Sequence, residues 1–182
     1  AMAIACKPKL VIADEPVSMV DASLRATILE SMYKVHKDFG ISFLYITHDL
    51  TTAYQVSDSI VILYRGVVAE AGAIEPVIKD PQHPYTQELI SSIPLPNPGS
   101  LWMDEDGGIE AVETVTQTLA GCKYTSRCPH VMDKCRDVMP PLYNLSSGQA
   151  VTCYLHDQAP ILPPEQLTNL LYPNPEVNKL SE

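Results

Sequence analysis

At 182 residues the chain has room for one ordinary domain or two small ones, and a composition 46% hydrophobic and 19% charged is that of a globular protein. A net charge of −10 with no basic cluster excludes an ordinary nucleic-acid surface. No run approaches the roughly 18 to 20 apolar residues that a bilayer span needs, and no charged region leads into an apolar core at the N-terminus, so the chain is expected to be soluble, with no membrane span of its own, and not exported.

Residues 3 to 7, AIACK, read as the end of a helix that Pro8 closes. Leu10 to Ala13 then form a short apolar run leading into Asp14 and Glu15, which Pro16 stops. Apolar residues on both faces predict a strand inside a parallel sheet, and the carboxyl ends of such strands are where these sheets place ligands. Two carboxylates there can hold a hydrated magnesium ion and polarise a water beside it, although a core strand followed by an acidic turn has the same pattern. Asp21 can cap a helix whose apolar positions Leu24, Ile28, Met32, Val35 and Phe39 recur at helical spacing, with Gly40 as its stop. Ile41 to Thr47 predict a second buried strand that delivers His48 and Asp49 at its carboxyl end, and a short helix through Ala53 and Val56 follows. Ser59 to Tyr64, a turn at Arg65 and Gly66, and Val67 to Glu70 read as a hairpin. Pro84 opens a helix over TQELISSI, which Pro94 terminates.

The character changes at Pro94, and most of the 16 prolines lie from here onward. The predicted organisation is a domain over 1–93, a linker over 94–100, a cysteine-bearing segment over 101–156 and a proline-rich tail over 157–182 that drapes over another surface. Of five cysteines, Cys6 stands alone while Cys122, Cys128, Cys135 and Cys153 follow one another with five, six and seventeen residues between them. That spacing lacks the paired knuckles of a zinc ribbon and does not name a metal. An iron–sulfur cluster, a zinc ion, and reduced or disulfide-bonded cysteines all remain open, with His130 and His156 as spare ligands.

Taken in order, strand-Asp-Glu, helix, strand-Thr-His-Asp and hairpin resemble the second half of an ABC transporter nucleotide-binding domain. LVIADEP resembles its Walker B strand, SMVD its D-loop, and ITHD its switch-histidine motif. YRGVVAEAG, DPQHPYTQELISSIP, GCKYTSRCPHVMDKC and AVTCYL resemble, more narrowly, the ATP-binding subunits of oligopeptide and dipeptide importers and their C-terminal extension. The resemblance implies an α/β fold: a partial P-loop NTPase (ABC-type) parallel sheet with flanking helices, then a small cysteine-containing extension. It also implies roles. Asp14 would hold magnesium through water, Glu15 would orient the attacking water, and His48 would contact the terminal phosphate of ATP and sense its loss. Ser18 and Asp21 would touch the nucleotide site of a partner subunit, and Cys122, Cys128, Cys135 and Cys153 would hold a four-iron four-sulfur cluster. The implied partners are a second ATP-binding subunit and transmembrane permease subunits, with the chain cytoplasmic and peripheral on the inner face of the cell membrane.

The phosphate-binding motif G-x-x-x-x-G-K-[ST] occurs nowhere in the sequence, and no L-S-G-G-Q signature precedes the AIACK segment. LSSGQ at Leu145 to Gln149 comes far after the acidic strand and before strand-like AVTCYL, so it reads as a turn. Without the backbone cradle and lysine for the phosphates, the chain alone is expected neither to bind ATP tightly nor to hydrolyse it. A gap is expected between the strands at Leu10 and Ser42, where the phosphate-loop strand would belong, or else a different pairing; either leaves apolar edges through which the isolated chain self-associates. Two other readings stand beside the transporter: a non-catalytic metal-stabilised binding or regulatory module, and the nonfunctional fragment of a broken gene.

Overall fold

The structure is a computed structural model, and it describes Ile4, residues 6–93 and residues 120–172. Two compact units divide between Asp58 and Ser59. Among the described residues no helix is long and apolar enough to cross a membrane.

In the first unit, β1 (Leu10–Asp14), α1 (Ala22–Phe39), β2 (Ser42–Ile46) and α2 (Leu50–Val56) follow in order. Local chemistry sets both ends of α1. Asp21 accepts hydrogen bonds from the backbone N–H groups of Ser23 and Leu24, each at 3.0 Å, satisfying donors that the first turn leaves free. At the other end Gly40 takes φ +64°, which costs a glycine little, and its N–H reaches the His36 carbonyl at 2.9 Å. His36 and Lys37 place basic groups against the carbonyl end of the helix.

β1 and β2 are parallel neighbours, in register from Leu10 opposite Ser42 to Asp14 opposite Ile46. The expected gap therefore does not occur. A continuous ladder satisfies the facing backbone groups of both strands, so any further strand must add outside this pair. The expectation that both strands are buried on both faces fails too. Val11, Ala13, Phe43 and Tyr45 are half-buried, whereas Leu10, Ile12, Leu44 and Ile46 alternate onto the other face and are 45–64% exposed. A two-stranded sheet has too little cover for both faces. On α1 the less exposed stripe runs through Arg25, Ile28, Leu29, Met32 and Val35, while Leu24 and Phe39, expected in the core, are exposed. The buried residues of this unit include Val17, Leu29, Ile41 and Ala53.

The second unit carries an antiparallel sheet in the order β3-β4-β6-β5, with β3 at Ser59–Tyr64, β4 at Val67–Ala73, β5 at Tyr143–Asn144 and β6 at Gln149–Val151. Arg65 and Gly66, both at positive φ, form the β3–β4 hairpin turn, a conformation that suits the strand twist. Two helices follow β4: α3 (Ile74–Lys79), which the sequence reading missed, and α4 (Pro84–Ser91), which opens at Pro84 as expected. The cysteine-bearing part adds α5 (Asp133–Asp137), and the chain beyond it ends in α6 (Leu167–Leu171), which packs on β4. β4 pairs with β6 from Glu70 opposite Val151 to Gly72 opposite Gln149, so residues on both sides of the predicted 94–100 linker share one sheet. The linker itself, residues 101–119 and the tail beyond Tyr172 lie outside the described residues.

LSSGQ forms the β5–β6 turn, as its context requires. Leu145 N–H donates to the Gln149 carbonyl at 2.8 Å, and Gly148 turns the chain at φ +75°. Ala71, Val77, Ala150 and Val151 are fully buried and form the centre of this unit.

Candidate functional site

The register of β1 against β2 decides which side chains meet. Asp14 ends β1 opposite Ile46, and the N–H of Glu15 continues the ladder by donating to the Ile46 carbonyl at 2.9 Å. Glu15 thus leaves the sheet level with the chain entering Thr47 and His48. Its backbone takes φ +42°, a left-handed conformation that costs a non-glycine residue about 1–3 kcal/mol and that clusters at functional sites. From there Glu15 Oε1 lies 3.0 Å from His48 Nδ1. The two residues expected to act on one water and one phosphate are neighbours, although 33 positions apart in sequence. Both are open to solvent, His48 at 76% and Glu15 at 47% of their side-chain surface.

Ser18 folds back on the same turn, and both its N–H and its hydroxyl donate to the Glu15 carbonyl, at 3.3 and 3.0 Å. Asp21 lies beyond it with one carboxylate oxygen engaged by the α1 cap and by the Ser23 hydroxyl at 2.6 Å. The Ser23 hydroxyl first, and then the Leu24 N–H, hold its carboxyl below the usual carboxylate range. Asp14 is exposed at the carboxyl end of β1, where a carboxylate can hold a magnesium ion through water. The sequence reading assigned no role to the pair Arg25–Asp49, at 3.4 Å, which lies in the same unit. An arginine on the covered stripe of an otherwise apolar helix face was the signal for it.

The second unit brings Cys122, Cys128, Cys135 and Cys153 to the lining of one cavity, together with His83 and His130. All four are free thiols. Burial pushes the thiols of Cys122 and Cys128 up, and that of Cys153 to about 11, so they are protonated at neutral pH and a metal must displace those protons to bind. Four soft donors suit zinc or an iron–sulfur cluster by type. As placed among the described residues, however, no three Cys, His, Asp or Glu side chains surround one point closely enough to hold a metal ion. The segment is tied to α4 by Glu88, which accepts from both the Tyr124 hydroxyl and the Arg127 guanidinium.

Beside that cavity lies a network that sequence reasoning did not find. Glu70 on β4 has no exposed surface, and its carboxylate accepts from Gln82 N–H at 3.0 Å, His83 N–H at 2.9 Å and the Gln149 amide at 3.2 Å. Burial raises its pKa, and the two backbone N–H groups oppose that shift. His83 is almost fully buried and caps α4, with Nδ1 accepting from Tyr85 N–H at 3.0 Å. Burial first and the nearby His156 second lower its pKa to about 4. A lone acid in the small-residue run AEAGA was the one available hint of Glu70.

An acid pair at a strand end, a tight turn with a backbone-bonded serine, and a histidine presented by the neighbouring parallel strand are the arrangement expected from the resemblance to the C-terminal portion of an ABC-type ATP-binding domain. Residues 69–135 match the family described as the oligopeptide/dipeptide transporter, C-terminal region. Over 159 residues the chain is 37% identical to an oligopeptide transport ATP-binding protein, AppD, of Bacillus subtilis, covering 87% of this chain and 48% of that protein. It is 36% identical over 154 residues to the dipeptide transport ATP-binding protein DppD of Haemophilus influenzae, covering 85% of this chain and 46% of the relative. A probable peptide ABC transporter ATP-binding protein of Sinorhizobium fredii is 33% identical over 175 residues, 95% of this chain and 49% of its own length. The solved ADP conformation of an ABC transporter's ATP-binding cassette aligns with TM-score 0.42 at 24% identity, covering 50% of this chain and 35% of that one. This chain carries the C-terminal region of the oligopeptide/dipeptide transporter family of ABC ATP-binding subunits. It spans about half the length of the curated relatives it matches.

Proposed function

We propose that this chain works as the C-terminal portion of an ATP-hydrolysing subunit that drives peptide import, peripheral to the cytoplasmic face of the membrane and paired with a second such subunit and with permease subunits. The observation that carries this reading is the 3.0 Å contact between Glu15 and His48 at the ends of two strands in parallel register. Asp14 would hold magnesium through water, and the ion would neutralise charge on the phosphates. Glu15 accepts a proton from the attacking water and orients it, and His48 donates to the terminal phosphate from the opposite side. Ser18 and Asp21 face a partner's nucleotide in this reading, with one Asp21 oxygen already committed to the α1 cap.

The phosphate cradle must come from outside these residues, so the test joins two parts. The chain alone, given magnesium and ATP, should show no turnover above buffer. Preceded by the N-terminal half of a relative such as AppD, it should hydrolyse ATP, and Glu15→Gln in that fusion should lower kcat about 100-fold or more. Turnover by the chain alone that Glu15→Gln abolishes would contradict the expectation of inactivity, and full turnover by the Glu15→Gln fusion would remove Glu15 from the chemistry. Sedimentation of the unfused chain belongs in the same experiment. The exposed face of Leu10, Ile12, Leu44 and Ile46 supports self-association at micromolar concentration, and a clean monomer would remove that part of the reading.

For the second unit we hold to a four-iron four-sulfur cluster, with zinc as the alternative, on Cys122, Cys128, Cys135 and Cys153. What supports it is the convergence of all four thiols on one cavity. Its role would be to tie down a short segment, as metals do in small units. Chain purified without oxygen should contain iron and sulfide with visible absorbance. Zinc alone would leave a structural zinc site, and neither metal would leave four structural thiols.

A further inference from the structure

Arg25 has no role in the reading so far, yet it occupies a peculiar place. It sits on the less exposed stripe of α1, where Ile28, Leu29, Met32 and Val35 are its companions. Its Nε is buried, with no hydrogen-bond partner among the described residues, while Nη1 reaches Asp49 Oδ2 at 3.4 Å. A buried polar atom left without a partner calls for an explanation, and the far end of this side chain, on Asp49, is where the structure offers one.

Asp49 stands at the centre of the turn that presents His48. Its other carboxylate oxygen caps α2, accepting from Thr51 N–H at 2.9 Å and Thr52 N–H at 3.4 Å, and its own N–H donates to the Thr47 hydroxyl at 3.0 Å. His48 is thus held between two anchored residues. At the other end of Arg25, its N–H donates to the Asp21 carbonyl at 2.9 Å, one helical turn from the α1 cap. The contacts close a ring: Glu15 to Ser18, along the chain to Asp21, then Arg25, Asp49, His48 and back to Glu15.

We propose that Arg25 is a positioning residue, which through Asp49 holds His48 opposite Glu15 and couples the turn over residues 15–21 to the turn over residues 47–49. An imidazole 76% open to solvent has little packing to hold it, so its reach to Glu15 at 3.0 Å depends on where the backbone starts the side chain, and pinning that backbone lowers the entropy lost in making the contact. The Arg25–Asp49 pair is itself partly exposed, at 37% and 31%, and pairs of that kind contribute little to stability. Its consequence is geometric. Any displacement of the 15–21 turn, which in the proposed function faces a partner's nucleotide, moves Arg25 and with it His48. This inference rests on that reading for its meaning in catalysis, but the coupling itself can be read without nucleotide.

The test uses the full chain with its histidines labelled with 15N. In the native protein the Nδ1 resonance of His48 should carry the signature of the hydrogen bond to Glu15, which Glu15→Gln perturbs. Arg25→Gln should at least halve the bonded population while changing the melting temperature little. Asp49→Asn keeps a good helix cap but loses the charge, and should reproduce the effect. Arg25→Lys should restore part of it, and Lys34→Gln, in the exposed pair with Glu30, should do nothing. An unchanged His48 signal in Arg25→Gln and Asp49→Asn overturns the proposal. Loss of the signal only together with melting of α1 also overturns it, since Arg25 would then be a structural residue. Because no ATP is present, failure here is separate from failure of the fusion to hydrolyse ATP.

Discussion

Glu70→Leu should destabilise the second unit by about 3–6 kcal/mol, the largest loss expected of any single substitution outside its apolar centre. Leucine fills similar space, so little of the effect comes from a cavity. What it removes is the acceptor for Gln82 N–H, His83 N–H and the Gln149 amide, at a position with no solvent to replace it. Each buried donor left unpaired costs about 1–3 kcal/mol. The Gln82 and His83 N–H groups lose their acceptor outright, whereas the Gln149 amide keeps its second bond, to the Asp80 carbonyl at 2.9 Å, so the upper end stays at about 6 kcal/mol. Domains of this size have about 5–15 kcal/mol in total, so the variant would be near its unfolding threshold at ordinary temperature. Glu70→Gln keeps one acceptor oxygen and should cost only about 1–2 kcal/mol. The ordering matters more than either value. Urea unfolding of the native chain and the two variants measures it, and a Glu70→Leu midpoint close to that of the native chain would show that these contacts do not hold the Gln82–His83 turn in place.

The same contrast separates what could be read in the sequence from what could not. Local signals were reliable. Asp21 and Gly40 bound α1 because a cap bonds to residues two or three positions away, and the Arg65–Gly66 turn and the LSSGQ turn are equally short-range. The placement of the candidate residues was legible for a related reason: Asp14, Glu15 and His48 each stand at or just past the carboxyl end of a short apolar run, and parallel strands bring such ends together. Pairing was not legible. Nothing in LVIAD or SFLYI says that these strands lie side by side, so a gap and a different pairing both stood open, and the structure shows the pairing. Burial failed likewise, because alternation in an all-apolar strand cannot say which face will be left bare; Leu10 and Ile12 fell on that face. On α1, Leu24 and Arg25 are adjacent and differ by about 100° around the helix, so a reading that followed apolar residues had Ile28, Met32 and Val35 on the covered stripe but started it at Leu24 and hid the arginine. Glu70 escaped because its partners lie 12, 13 and 79 positions away.

His83 gives the second large effect, and its sign follows from its burial. In the unfolded chain a histidine titrates near 6.5, whereas here burial and the neighbouring His156 lower the value to about 4. Folding therefore disfavours the protonated ring, and the stability that His83 allows is complete above 6.5, falls as the pH drops from 6.5 towards 4, and levels off below. At about 1.4 kcal/mol for each pKa unit, the full loss is about 3 kcal/mol. Two contacts give that loss a location. Nδ1 accepts from Tyr85 N–H and so cannot carry a proton without breaking the α4 cap, and the His83 backbone N–H is one of the donors to Glu70. Glu70 acts in the opposite sense. Its raised pKa means that the folded chain takes up that proton at a higher pH than the unfolded chain does, so its contribution improves as the pH falls and offsets part of the His83 loss. The two are separated with His83→Asn, which retains a cap acceptor for Tyr85 N–H but does not titrate. Subtracting the His83→Asn stability profile from the native one, by urea unfolding between pH 4 and 8, should leave a step that is flat above pH 7 and descends through the 6.5-to-4 window. A difference that stays flat across the window would mean that the ring is protonated as easily in the fold as out of it, and that the α4 cap does not depend on its neutral form.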